Sequence, residues 1–314
     1  MEGRGSIIVN LSIAFLALSW TTIALRLYVR VRLKRSFGTD DCFLIAALLL
    51  ASASFIILLY EPECHMKKDL TSLTPHQLGD SFKCFFVSQV FYVVATGTVK
   101  ISFCLTLYRF FIARWEQWLL RFLVFASCTI TIFYSFWLAF FCRPTHFFWD
   151  RTVNPRGGSC MPIPTFERGI YAHALIILLM DITLAVLPIF IVKGLRMDWK
   201  SKASVVGILA IGGIVATVAR IAIVPRLTNN ATFKGFLDIA ADFMIWSMVE
   251  VGTSIVAISA TALRPLAEKL GIVPSQMRPK SRTPANQNSS EEGLQLNLYA
   301  NQEAARTNVT LRGG

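Results

Sequence analysis

The sequence predicts an all-α membrane protein, a bundle of seven transmembrane helices with its N-terminus outside and its C-terminus in the cytoplasm. Three observations predict it: a composition too apolar for water, seven apolar windows of spanning length, and a skewed distribution of basic residues. Of the 314 residues 54% are hydrophobic and only 16% charged, against roughly 25% charged in soluble domains. The 24 Phe and 7 Trp fit the same solvent, since Phe partitions into hydrocarbon and Trp favours the membrane interface.

A hydrocarbon core of about 30 Å needs about 20 apolar helical residues. The windows lie at about 7–28, 41–60, 85–107, 119–142, 169–192, 203–224 and 240–263. Barrel strands would be about 10 residues long and alternate apolar with polar, a pattern absent from these windows. The first window is flanked by basic residues on its C-terminal side, the reverse of a cleaved signal peptide, and reads as a retained helix. With the N-terminus outside, the inner connections and early tail carry 17 Lys and Arg and the longer outer ones 10, the bias that sets orientation during insertion. Residues 1–270 thus form the transmembrane domain. From 271 to 314 the chain is rich in Pro, Ser, Asn and Gln, too polar to offset the entropy of ordering, and is expected to be a disordered cytoplasmic tail.

The net charge of +12 does not indicate nucleic-acid binding, because the basic residues are scattered between apolar runs rather than gathered on one face. Of seven cysteines, Cys64, Cys84, Cys142 and Cys160 fall at outer helix ends or in outer loops, where disulfides persist. Cys142 with Cys160 and Cys64 with Cys84 is the preferred pairing; Cys84 with Cys160 is the alternative. Cys42, Cys104 and Cys128 read as small core residues. Asn230-Ala-Thr232 is a glycosylation sequon in the last outer loop.

Ionisable side chains inside a bilayer are costly unless paired or hydrated, so each is a candidate functional residue. Lys100, Asp181, Arg220 and Glu250 lie within windows. At 1.5 Å per residue Lys100 and Asp181 share the inner half, about 20 Å and 18 Å below the outer ends of their helices. Arg220 and Glu250 lie nearer the outer half, with Asp242 above. These give two expected interhelical pairs. On the last helix Asp242, Trp246, Glu250 and Thr253 project within roughly 80° as one polar stripe facing the bundle. Asp40 and Asp41, after Phe37-Gly38-Thr39, are expected to cap the second helix and suit its dipole. Neither metal-ligand spacing nor a catalytic constellation is present, so neither metal, cofactor nor enzymatic activity is expected.

Several segments together resemble a known family. These are Arg30 through Arg35-Ser-Phe-Gly-Thr-Asp40-Asp41; Val99-Lys100-Ile-Ser102 with Leu107-Tyr108-Arg109; FFCRPTHFFWD at 140–150 with Gly158-Ser-Cys160; Met180-Asp181 with Leu187-Pro188; and Gly194-Leu-Arg196-Met197. Arg220, Trp246 with Glu250, and Leu263-Arg264-Pro265 complete the series. Over about residues 10–270 the chain resembles the fungal rhodopsin-domain family of integral membrane proteins. Its relatives include receptor-like proteins of plant-pathogenic fungi and proteins of secondary-metabolite clusters such as the satratoxin cluster. The resemblance implies seven helices, a plasma-membrane or endomembrane location, and chemosensing through a cytoplasmic G protein, with Asp40, Asp41 and Arg109 in an inner-face motif. It does not imply retinal, because a Schiff base needs a lysine and the 240–263 window has none. Three functions follow in order: a receptor-like sensor of a small molecule, a transporter or proton relay using the four buried charges, and a membrane-embedded metabolite enzyme with Asp181 or Glu250 as general acid.

Overall fold

Lipid cannot hydrogen-bond a backbone, so a chain of this composition must satisfy its peptide groups within helices. The computed structural model describes residues 2–33, 35–60, 74–109, 111, 113–194, 200–229 and 233–269. Seven long helices appear there: α1 Glu2–Tyr28, α2 Thr39–Leu59, α3 Pro75–Tyr108, α4 Arg114–Ala139, α6 Ile163–Gly194, α7 Lys200–Asn229 and α8 Phe233–Lys269. A short helix α5, Phe147–Asp150, and a two-stranded hairpin, β1 Cys142–Arg143 with β2 Ser159–Cys160, fill the connection between α4 and α6. On the described residues six of the long helices are long and apolar enough to cross a membrane. The remaining one, α7, is 30 residues long and contains the predicted 203–224 window. The chain is a multi-pass membrane protein built as an α-helical bundle. Cys64, Asn230 and the 271–314 tail lie outside the described residues. Residues up to Leu266 form one compact unit; of the second, Ala267–Gly314, the described part is the helical end of α8.

Most helices extend beyond their predicted windows, and two of the boundary differences have a clear local cause. Helix α3 begins at Pro75, ten residues before the predicted 85. Thr74 accepts the Gln77 N–H at 3.4 Å while Gln77 Oε1 accepts the Thr74 N–H at 3.1 Å, a reciprocal cap with proline at the first position. Helix α4 ends at Ala139 rather than 142, because Cys142 is a strand residue paired opposite Cys160. After α1, a π-helical turn over Val29–Leu33 is closed by the Ser36 N–H donating to Arg30 O at 2.9 Å. Arg35 reverses the chain there in the left-handed region, φ 47°.

Helix α3 is the centre of the bundle: 67% of its most apolar stretch is buried, against 22% for α1 and α4. The core has two principal layers. One runs through Leu44, Val99, Leu120, Leu184 and Ile255; the other, toward the opposite end, runs through Phe55, Phe82, Phe141 and Met244. Between membrane helices packing replaces the hydrophobic drive, and small residues permit close crossings. A Cβ at Gly97 of α3 would overlap the Thr131 side chain of α4, and one at Gly252 of α8 would overlap the Phe15 ring of α1. At Gly213 a Cβ would sit 3.8 Å from Ser254 Oγ, an ordinary contact.

Gly97→Val is therefore expected to destabilise the bundle by about 1–3 kcal/mol through overpacking. Gly213→Ala should leave stability unchanged or raise it by about 0.4–1 kcal/mol. Thermal unfolding of the two purified variants in detergent checks the contrast.

Candidate functional site

Buried charge must find partners or pay desolvation in full, and the interior meets that demand in two places. At the end of the bundle where α1 stops and α2 starts, Arg26 is fully buried. Its Nε donates to Asp41 Oδ1 at 2.9 Å, one terminal nitrogen to Asp40 Oδ2 at 2.8 Å and Thr106 Oγ1 at 3.2 Å. The other donates to Ile258 O at 2.6 Å and Thr261 Oγ1 at 3.4 Å. These five contacts match the five donors of a guanidinium. They tie α1 to α2, α3 and α8 at one point.

Two more arginines close on the same carboxylates. Arg30 lies 2.9 Å from Asp40 Oδ2 and 3.5 Å from Asp41 Oδ2, and Arg109, at the end of α3, lies 2.6 Å from Asp40 Oδ1. Ser102 Oγ donates to the Asp40 carbonyl at 2.7 Å. Three cations thus surround two anions. Both carboxylates and Arg26 are inaccessible, whereas the Arg109 side chain is 36% exposed, which makes Arg109 the member in reach of water.

Toward the middle of the bundle, Glu250 Oε2 accepts from Tyr92 Oη at 2.8 Å and pairs with Arg220 at 2.5 Å. The Arg220 guanidinium sits 4.8 Å from the ring centres of both Tyr92 and Phe243, so cation–π attraction supplements the ion pair. Lys100 of α3 pairs with Asp181 of α6. Tyr92, Thr96 and Lys100 follow one another at i, i+4 and i+8, stacking one above the other on the same face of α3. Among the described residues, four atoms of this region have no hydrogen-bond partner: Thr96 Oγ1, Asp181 Oδ2, Arg220 Nε and Glu250 Oε1. Each such atom costs about 1–3 kcal/mol when left unmet, so the layer is suited to a polar guest.

Two narrow clefts adjoin this layer. One is bounded by Lys100, Asp181, Gly213 and Ser254. The other is lined by Phe85, Phe86, Tyr134, Phe148, Phe166 and Phe243, with Gln89 its amide. Phe243 forms a wall of the second cleft and stacks on Arg220, so the aromatic cleft abuts the ion pair. Tyr134, another wall, stacks on His173 at 3.8 Å. Phe148 comes from α5 in the α4–α6 connection, with ring centres 5.4 Å from Phe86 and 6.1 Å from Phe141. That connection is pinned by the Cys142–Cys160 disulfide. Arg151 lies 5.3 Å from the ring centres of Phe82 and Phe148, and burial holds its guanidinium below the ordinary value.

The structure thus brings together Lys100 with Asp181 and Arg220 with Glu250, and gathers Asp40, Asp41 and Arg109. It changes other expectations. Gly38 holds the N-cap position of α2; Asp41, in the first turn, caps the helix as expected by accepting the Gly38 N–H at 3.3 Å, whereas Asp40 is committed to Arg26, Arg30 and Arg109. Asp242 and Trp246 are half-buried and line neither cleft. The inward stripe of α8 is Phe243, Ser247, Glu250, Ser254 and Ala257, rotated about 60° from the one expected. Glu250 meets Arg220 and Tyr92 on this face, which fixes the rotation. Cys160 pairs with Cys142, which rules out the Cys84–Cys160 alternative; Cys84 is itself disulfide-bonded. Cys104 is buried and Cys128 half-buried, but Cys42 is exposed and is not a core residue.

Arg26, Tyr92, Thr96 and Phe243 were not singled out from the sequence, and Arg30 only as the start of a family-like segment. The i, i+4 spacing of Arg26 and Arg30, followed by adjacent Asp40 and Asp41, is the signal that marks the first cluster. Tyr92-x3-Thr96-x3-Lys100 marks the second.

The fungal rhodopsin domain family matches residues 25–269. The chain is 24% identical over 274 residues to the polyenoic acids biosynthesis gene cluster protein Ba17b of Metarhizium anisopliae, covering 82% of this chain and 72% of that protein. It is 23% identical over 302 residues to the receptor GIN3 of Arthrobotrys oligospora, covering 91% and 70%. No solved structure matches.

Removing a buried cation strands its partners. Arg26→Gln is expected to cost about 3–5 kcal/mol by leaving Asp40 and Asp41 undercompensated, and Arg109→Gln no more than about 1 kcal/mol. Equilibrium unfolding of both variants in mixed micelles measures the difference.

Proposed function

This chain belongs to the fungal rhodopsin domain family, and on that premise we propose that it is a receptor-like membrane protein that senses a small molecule bound between its helices. The observation that carries the reading is the contact of the aromatic cleft with the Arg220–Glu250–Tyr92 group through Phe243. A guest in that cleft presses on a ring that stacks on a buried cation, so it shifts the ion pair without needing a charge of its own. Receptor GIN3 supports the receptor character, and the gene-cluster relative supports a metabolite as the signal.

The route to the opposite end runs along two helices. Helix α8 carries Phe243 and Glu250 and also Ile258, whose carbonyl holds Arg26; α3 carries Tyr92 and Lys100 and also Thr106 and Arg109. A ligand acts by binding one arrangement of the bundle more tightly than another, and a rigid helix transmits that preference between its ends. With the N-terminus outside, the arginine cluster faces the cytoplasm, where the partner in this reading is a G protein. The chain is read as a non-enzyme; the buried carboxylates Asp40, Asp41, Asp181 and Glu250 each stand in an ion pair.

A transporter reading draws on the four unpartnered atoms of the central layer, which suit a hydrated path. The two readings separate on Glu250→Gln, a near-isosteric change that keeps hydrogen bonding to Tyr92. In a fungal host expressing the full chain with a conformational reporter on its inner face, a panel of apolar metabolites is expected to yield a response. The variant should require about tenfold more ligand for it, while surface abundance is unchanged. An unaltered response refutes the role of the ion pair. Solute flux into proteoliposomes, abolished by the same variant, moves the assignment to transport.

A further inference from the structure

A charge on the exposed side of a transmembrane helix needs an offset that lipid tails do not supply, and α4 carries two. Helix α4 turns an aromatic face outward: Trp118 is 69% exposed, Phe122 64% and Phe125 70%. At 100° per residue, Arg114, Trp118, Arg121, Phe125, Ile132 and Phe136 fall within about 60° of one another. Both arginines are exposed on this face. Arg121 lies inside the predicted 119–142 window, about 10 Å along the axis from Arg114.

Helical side chains lean toward the N-terminus of their helix, which carries the Arg121 guanidinium back toward Arg114. It is held in place there: one terminal nitrogen donates to Tyr108 Oη at 2.8 Å, and its carbon lies 5.6 Å from the ring centres of both Tyr108 and Trp118. Among the described residues no carboxylate lies within ion-pair distance of Arg114 or Arg121. Glu116, the other charged residue of α4, projects about 200° away from Arg114. The remaining donors of a fixed, planar fork are thus presented at the edge of the apolar region with no anion to meet them.

We propose that Arg114 and Arg121 bind the phosphate of an anionic glycerophospholipid, with an acyl chain lying along Trp118, Phe125 and Ile132. Guanidinium matches phosphate bidentately, two cations on one face favour a lipid of net negative charge over a zwitterionic one, and the exposed ring stripe supplies an acyl-chain track. In the N-outside orientation this end lies in the cytoplasmic leaflet, where anionic lipids attract juxtamembrane arginines. The site is independent of the aromatic cleft and does not rest on the sensor reading.

The full chain, reconstituted in mixtures of phosphatidylcholine and phosphatidylinositol with matched acyl chains, is extracted gently and its retained lipid identified by native mass spectrometry. Wild type is expected to retain phosphatidylinositol preferentially. Arg121→Gln should reduce that preference about fivefold, and Arg114→Gln with Arg121→Gln should abolish it. Trp118→Ala, at an exposed position that leaves folding intact, should reduce it about two- to fivefold. Equal retention of the two lipids by wild type overturns the proposal, as does an undiminished preference in the arginine variants. Should those fail to accumulate, an undiminished preference in Trp118→Ala overturns it instead.

Discussion

The bundle depends on one buried guanidinium. Arg26 is inaccessible to water and touches four helices' worth of partners through its own α1 and through Asp40, Asp41, Thr106 and Ile258. A cation in that position is tolerated only because every donor is met and two carboxylates stand against it. The geometry runs both ways. Asp40 and Asp41 enter the core at the start of α2, where Arg26 and Arg30 receive them, after the left-handed residue Arg35 and an extended Gly38. A Cβ on Gly38 would land on the Arg109 guanidinium, so even that glycine belongs to the cluster.

From this anchor the two functional features are separated by depth. The Arg26 cluster closes one end of the bundle, the Arg220–Glu250 and Lys100–Asp181 pairs occupy its middle, and aromatic rings held by the Cys142–Cys160 loop close the other end. Helices α3 and α8 run through all three levels. Among the described residues the middle pairs leave three of their atoms without a hydrogen-bond partner, Asp181 Oδ2, Arg220 Nε and Glu250 Oε1, whereas at the other end the Arg26 guanidinium meets all its donors and Asp40 Oδ1 alone has only an ion-pair contact.

Much of this was legible in the residues. Apolar windows located every long helix because lipid imposes a single length scale, and the depth of each charged residue along its helix brought the right partners to the same level. The start of α3 was also readable, in Thr74-Pro75-His76-Gln77, but a window ranked by apolarity overlooks a polar cap. Rotation was not legible. On α8 the sequence paired Glu250 with Arg220 but placed Asp242, Trp246, Glu250 and Thr253 on one inward stripe, and only contacts with other helices, such as those of Glu250 with Arg220 and Tyr92, fix which face turns in. Arg26 was hidden for a similar reason: at the end of an apolar window a basic residue reads as a flank retained by the insertion machinery, and nothing local states that it turns inward.

The central claim is that Arg26 and Asp41 are coupled inside the bundle rather than merely adjacent. A double-mutant cycle, Arg26→Met and Asp41→Asn singly and together, with unfolding free energies measured in lipid–detergent micelles, tests it directly. Strong coupling, of about 2–3 kcal/mol, is the predicted result, with the double variant much less unstable than the two single losses would give together. Additive losses would contradict the account.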